Sequence, residues 1–196
     1  MKLLGITGGV GMGKSTCAQL LRERGLALVD TDDLARDVVA PGQPALAEVR
    51  AAFGGDVIDS AGQLRRDVLA KLVFGNDAAL KQLEAILHPR IRERWQAQVA
   101  QWRREGKPVA AVVIPLLFET QAETGFDRVI CVACSAGTQR ARLRARGWTD
   151  EQLHQRIAAQ MPVEEKLLRS HYVIWTEGSV TVHAQQLDHI LAALQV

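Results

Sequence analysis

Residues Gly8-Gly9-Val10-Gly11-Met12-Gly13-Lys14-Ser15 match G-x-x-x-x-G-K-[ST] at every specified position, and Thr16 adds a second hydroxyl. The motif demands a strand before it and a helix after it. Lys2-Leu3-Leu4-Gly5-Ile6-Thr7 is an apolar run of strand length, and Lys14 to Arg24 places Cys17, Leu20 and Leu21 at helical spacing. Glycine at four of the six positions from 8 to 13 lets successive N–H groups turn into one concavity at a helix N-terminus. Gly9, Gly11, Met12, Gly13, Lys14, Ser15 and Thr16 are therefore expected to cradle phosphates, with Lys14 reaching the β and γ groups and Ser15 ligating Mg²⁺. The alternative is a glycine-rich turn that binds nothing. Four fixed positions match by chance in roughly one per cent of chains this long, so the phosphate reading is preferred.

The rest of the chain alternates strands with helices. Arg24-Gly25 reads as a helix C-terminus, and Leu26-Ala27-Leu28-Val29 is a continuously apolar run suited to a parallel strand covered on both faces. It ends in Asp30-Thr31-Asp32-Asp33, ahead of a short helix over Leu34 to Val39 that an aspartate would cap, Asp33 being the expected cap. Ligands bind beyond the carboxyl ends of strands in such sheets, which places these acids on the ligand edge.

From Pro41 to about Lys107 no convincing strand is found, and helices are expected at Ala45 to Phe53, Arg65 to Phe74, Asp77 to Leu87 and Pro89 to Glu105. This is an inserted helical lobe where Arg65, Arg66, His88 and Arg90 are candidates for gripping a phosphoryl acceptor. His88-Pro89 is expected to break two helices, because proline pushes the residue before it out of helical geometry.

Val109 to Ile114 is the third strand. No aspartate closes it, so a carboxylate near Mg²⁺ must come from elsewhere, and Asp32 is the natural candidate. Arg128 to Ala133 is the fourth strand. Arg140, Arg142, Arg144 and Arg146 follow on a predicted helix, with Arg140 and Arg144 sharing one face by i,i+4 spacing and Arg142 and Arg146 another. Beside a phosphate loop they fit a lid whose guanidiniums clamp transferring phosphates. Thr149-Asp150-Glu151-Gln152 forms a capping box for a helix to Met161; Tyr172 to Trp175 is an edge-like strand, and Val180 to Val196 a last helix. The pattern predicts a three-layer α/β fold around a parallel five-stranded sheet.

Composition excludes several classes. Apolar residues at 47%, charged residues at 23% and a net charge of +2 describe an ordinary globular chain, with no charge excess that points to nucleic acid. No segment approaches the roughly 18 uninterrupted apolar residues of a membrane span, and the N-terminal run lacks the marks of a signal peptide, so a cytoplasmic setting is expected. Cys17, Cys131 and Cys134 are odd in number and read as core thiols in a reducing compartment. Asp59-Ser60-Ala61-Gly62 spells the D-x-x-G of nucleotide switches but lies in a predicted loop, and no N-K-x-D accompanies it. An RNA-binding reading of the arginine tract lacks interleaved aromatics.

Taken together these residues resemble the dephospho-coenzyme A kinases over most of the chain. Thr7 to Thr16 looks like that family's phosphate loop, and Asp30-Thr31-Asp32 with Ala35-Arg36 like its D-A-D-x-x-A-R segment. Phe53-Gly54, Gly62-Gln63-Leu64-Arg65-Arg66 with Leu69, His88-Pro89, Pro115-Leu116-Leu117-Phe118-Glu119, Gln139-Arg140 with Arg142-Leu143, and Gln160 continue the series. The resemblance implies a P-loop fold like that of nucleoside-monophosphate kinases, a helical acceptor-binding insertion over about 41–107, and an arginine-rich lid over about 136–165. It implies transfer of the ATP γ-phosphoryl group to the ribose 3′-hydroxyl of dephospho-CoA, with Mg²⁺. Lys14, Asp32 and Arg140 would be catalytic, and Asp32, Arg66, His88 and Leu117 would meet the acceptor. The family's A-D-x-V-I-x-N-x-G beside adenine reads Ser170 to Gly178 here, with Thr176 in the place of the amide. Neither nucleic acid nor membrane is an expected partner, and a monomer is the default state.

Overall fold

The computed structural model describes residues 1–73 and 75–195. Phe74 and Val196, the expected ends of two helices, lie outside the described residues. Five parallel strands, β1 (Lys2–Thr7), β2 (Ala27–Asp30), β3 (Val109–Val113), β4 (Arg128–Ala133) and β5 (Tyr172–Trp175), form one sheet in the order β2-β3-β1-β4-β5. Register aligns Gly5 with Val112 on one side and with Val129 on the other. Because the strands run the same way, β1, β2 and β3 end on one edge.

The continuously apolar runs of β1, β3 and β4 are explained by burial on both faces, whereas β2, expected to be covered likewise, is an edge strand and only half-buried along its length. Leu4, Ile6, Ala111, Val113, Ile130, Val132 and Ile174 point to one side, where α1 (Lys14–Glu23) and α9 (Val180–Ala193) supply Cys17, Leu20, Leu21, Leu187, Ile190 and Leu191. Cys131 and Ala133 point to the other, against Met12 and α8 (Val163–Arg169) through Val163 and Leu167. Helices on both faces make the three layers, and each Leu or Ile so buried contributes about 1.5–3 kcal/mol. Helix α1 closes as expected: Gly25 at φ +75° lets its N–H reach the Arg22 carbonyl at 2.9 Å while Leu26 N–H bonds to Leu21 at 3.1 Å. The exposed edge of β5 is protected at Trp175, whose N–H donates to Gln186 Oε1 at 2.8 Å and whose carbonyl accepts from Gln186 Nε2 at 2.9 Å.

The chain divides into two compact units, Met1–Asp30 with Gln101–Val196, and Thr31–Ala100. The second is helical, with α2 (Thr31–Asp37), α3 (Pro44–Phe53), α4 (Arg66–Val73) and α5 (Asp77–Arg104) up to residue 100. Its own core gathers Val38, Val39, Leu46, Val49, Leu69 and Val73 against Leu83, Leu87 and Ile91. Arg90 ties α5 to Glu48 of α3 at 2.6 Å. Asp59-Ser60-Ala61-Gly62 is a turn in which Asp59 Oδ1 accepts from Ala61 and Gln63 N–H, consistent with a loop position.

Three local expectations are corrected. Pro89 lies inside one continuous helix, α5, and does not separate two. Proline removes the N–H that would bond to Ala85, but apolar side chains on both sides of it are held in the unit's core, and Arg90 Nη1 donates to the Ile86 carbonyl at 2.7 Å. Helix α2 begins directly at Thr31, so Asp33 stands in its first turn instead of capping it and pairs with Arg36 at 2.9 Å. The helix after Thr149 is α7 (Asp150–Ala158), and α8 follows as a separate short helix that no pattern announced. Among the described residues no helix is long and apolar enough to cross a membrane.

Candidate active site

Gly8 to Gly13 join β1 to α1 through three glycines with positive φ, at +143° for Gly8, +75° for Gly11 and +100° for Gly13. At Gly8 a side chain is excluded outright, since a Cβ would stand 2.1 Å from the Val132 carbonyl oxygen. Gly13 caps α1 without offering a side-chain acceptor, and the first turn of α1 holds no acidic residue. The positive end of the helix dipole is thus left for an anion from outside. Lys14 Nζ lies across the loop, donating to the carbonyls of Gly8 at 2.8 Å and Gly9 at 2.9 Å.

Two glutamines hold the loop's crest. Val10 N–H donates to Gln160 Oε1 at 2.9 Å, and the Val10 carbonyl accepts from Gln139 Nε2 at 2.8 Å. Gln139 is buried on α6 (Ala136–Ala145), and Gln160 follows α7. Thr176 supports the loop from below: its hydroxyl donates to the Met12 carbonyl at 3.0 Å and accepts from Arg142 Nη1 at 2.8 Å, while Arg142 Nη2 donates to the Thr176 carbonyl at 2.6 Å. The Thr176 hydroxyl proton is therefore committed to the loop backbone.

The arginine tract divides by direction. Arg142 turns inward to Thr176, Arg144 pairs with Asp150 at 2.8 Å, and Arg140 and Arg146 are exposed. Arg140 has no ion pair among the described residues. Glu177 takes the Ser135 N–H at 2.7 Å and the Thr138 hydroxyl at 2.8 Å beside the start of α6, and these bonds hold its carboxyl below the usual range.

The expected site residues fall into the two units. Gly9, Gly11, Met12, Gly13, Lys14, Ser15, Thr16, Leu117, Arg140 and Thr176 belong to the sheet unit, and Asp32, Arg66 and His88 to the helical one. Ser15 and Thr16 stand in the first turn of α1, Ser15 exposed. Met12 is buried against Cys131, Ala133 and Cys134, so its share in the loop is its backbone. Leu117 is fully buried and abuts Gly5, where its Cδ1 would lie 2.8 Å from an added Cβ; its side chain offers no surface. Asp32 is exposed in the first turn of α2, Arg66 opens α4, and His88 sits half-buried in α5. The cysteines are free and buried, and burial pushes the Cys17 thiol up to about 12 and that of Cys131 to about 11, which makes them inert.

The roles of Gln139 and Arg142 in holding the loop carry no signal in spacing, because both depend on where α6 docks. No three His, Cys, Asp or Glu side chains converge on a point among the described residues. A nucleotide-bound Mg²⁺ fits this donor set nonetheless, since it keeps several waters and takes one or two protein oxygens beside the phosphates, and the exposed Ser15 hydroxyl is placed to be one.

Comparison with known proteins adds the last observation. A family model described as dephospho-CoA kinase matches residues 2–181. The dephospho-CoA kinase of Anaeromyxobacter dehalogenans is 41% identical over 196 residues, covering 100% of this chain and 93% of its own. That of Bdellovibrio bacteriovorus is 37% identical over 195 residues, covering 100% and 97%. The solved structure of TT1252 from Thermus thermophilus is similar with a TM-score of 0.83 at 34% identity, over 98% of this chain and 97% of that one. A match that begins at β1 and reaches into α9, with relatives of one name aligned end to end, means that the chain belongs to the dephospho-CoA kinase family.

Proposed function

We propose that the chain transfers the γ-phosphoryl group of ATP to the ribose 3′-hydroxyl of dephospho-CoA, giving coenzyme A and ADP. The observation that carries the reading is the phosphate loop: glycine backbone, an uncapped α1 N-terminus and an ammonium group lying across it. On binding ATP, Lys14 exchanges the Gly8 and Gly9 carbonyls for β- and γ-phosphate oxygens, whose charge rewards the ammonium more than two neutral dipoles do. Arg140, exposed on α6, swings its guanidinium onto the transferring group as the lid, about 136–165, closes. Thr176 serves the nucleotide through the loop it supports. Ser15 and Asp32 are the oxygens assigned to Mg²⁺, which when bound neutralises phosphate charge.

Asp32 follows the end of β2 by two residues, and β2 ends on the same sheet edge as β1. In the proposed step Asp32 accepts the proton of the 3′-hydroxyl, the hydroxyl oxygen attacks the γ-phosphorus, and the bond from that phosphorus to the bridging oxygen breaks toward ADP. The insertion over about 41–107 receives the acceptor, with Arg66 and His88 as its polar contacts; Leu117, buried against Gly5, serves only by supporting the sheet. We read the protein as cytoplasmic and monomeric, with no nucleic-acid or membrane partner. The test is ATP consumption with dephospho-CoA, adenosine or AMP as acceptor. Turnover should require dephospho-CoA; slow turnover indifferent to the acceptor would overturn the reading.

A further inference from the structure

Among the described residues Lys166 is the one lysine with no exposed surface, although it lies on the seven-residue helix α8. An ammonium group out of water costs several kcal/mol unless it is paired and hydrogen-bonded. It is paired here with Glu119 Oε1 at 2.7 Å and donates to the Pro115 carbonyl at 2.7 Å. The same carbonyl accepts the hydroxyl of Thr7 at 3.2 Å, the residue immediately before the phosphate loop. Glu119 Oε1 also accepts Met161 N–H at 2.9 Å, and Met161 adjoins Gln160, which holds Val10 N–H. Glu119 Oε2, by contrast, is buried with no hydrogen-bond partner among the described residues.

The trans peptide converts this arrangement into a statement about the loop. N–H and C=O of one peptide group point in opposite directions, so fixing Val10 N–H toward Gln160 turns the Gly9 carbonyl the other way. That carbonyl is one of the two that hold the Lys14 ammonium, at 2.9 Å. By the same rule, Gln139 on the Val10 carbonyl turns the Gly11 N–H away from Gln139.

We propose that Glu119, held by Lys166, is a positioning residue that anchors residues 160–161 and through Gln160 sets the peptide orientation of the phosphate loop. The inference rests on the ATP-binding reading of that loop. Anchoring and charge separate here: what the loop needs is an acceptor for Met161 N–H at position 119, and what the half-buried Glu119 carboxylate also supplies is the counter-charge for the fully buried Lys166.

Two double variants with the same charge removed test this, with ATP affinity by calorimetry and thermal unfolding as readouts. Lys166→Met/Glu119→Gln keeps an acceptor for Met161, whereas Lys166→Met/Glu119→Leu does not. The first should bind ATP within about threefold of wild type, and the second about fivefold or more weakly, the loss of one or two hydrogen bonds. Gln160→Ala should weaken ATP binding by a similar factor and add nothing to the Leu double variant. A merely structural pair predicts that affinity tracks unfolding temperature, so equal binding by the two doubles, or an independent further loss from Gln160→Ala, overturns the proposal. Should the Leu double variant fail to fold, Gln160→Ala alone decides, and binding within about twofold of wild type overturns it. Wild-type protein that binds ATP but phosphorylates no dephospho-CoA would refute the proposed reaction and leave this inference standing.

Discussion

Replacing Lys14 by alanine removes a positive charge where the transferring phosphates must be held, and its ammonium group donates to the loop carbonyls of Gly8 and Gly9, outside the apolar core. Turnover should fall by about two orders of magnitude or more with little change in unfolding temperature, a contrast that steady-state assay and calorimetry read together. Asp32→Asn keeps shape and removes the proposed base, so kcat for dephospho-CoA should fall by about 10² or more while ATP affinity holds. Asp33→Asn is its control: the exposed pair of Asp33 with Arg36 contributes at most about 1 kcal/mol, and kcat should stay within about threefold of wild type. Equal losses from the two substitutions would remove Asp32 from the base role. At this scale the loop was legible before any coordinates, because only glycine takes the required backbone angles and its spacing survives in one dimension. Thr176 was legible only as a departure from a pattern. That its hydroxyl holds Met12 follows from the register of β5 on β4, where Thr176 N–H bonds to Ala133 at 2.8 Å, and register is a property of the folded sheet.

Among the elements, α6 illustrates what helical periodicity does and does not deliver. Spacing correctly separates the face of Arg140 and Arg144 from that of Arg142, but which face turns inward is decided by docking against Thr176. Arg140→Ala should lower kcat more than it weakens ATP binding, and Arg146→Ala, at the exposed C-cap of α6, should alter neither by more than about twofold. Comparable damage from both would make the tract a general electrostatic surface. Helix α5 shows the opposite failure, a local rule overruled by packing. Its proline is exposed and disrupts the backbone ladder of a helix whose apolar face is buried on either side, so Pro89→Ala should stabilise the protein by about 1 kcal/mol or more, read as a rise of about 2 °C or more in Tm. A fall in Tm would mean that the proline ring packs more than it strains. Helix α8 escaped sequence reading because seven residues are too few for a periodic signal, and its buried lysine looks like any surface lysine until its partners are placed.

For the molecule as a whole, alternating elements lead only as far as a parallel sheet; the permutation β2-β3-β1-β4-β5 rests on pairings between strands far apart in the chain, which no local pattern carries. That permutation has a consequence in time. β1 precedes the other four strands of the sheet in the chain, yet both its neighbours, β3 and β4, are made after the insertion: Lys2 aligns with Val109 and Leu4 with Arg128. β2 offers β1 no edge, since it pairs with β3 alone. Leu4 and Ile6 therefore remain without their sheet partners while residues 31–100 make contacts local to themselves, and the phosphate loop gains the support of Thr176 on Met12 only after residue 176 is made. Long-range parallel pairing of this kind is slow and leaves apolar strands exposed to aggregation and to chaperones. In refolding from denaturant, helical signal should return in an early phase and ATP binding only in a later one, so the strand that precedes the others of this sheet leads into the loop that becomes functional last.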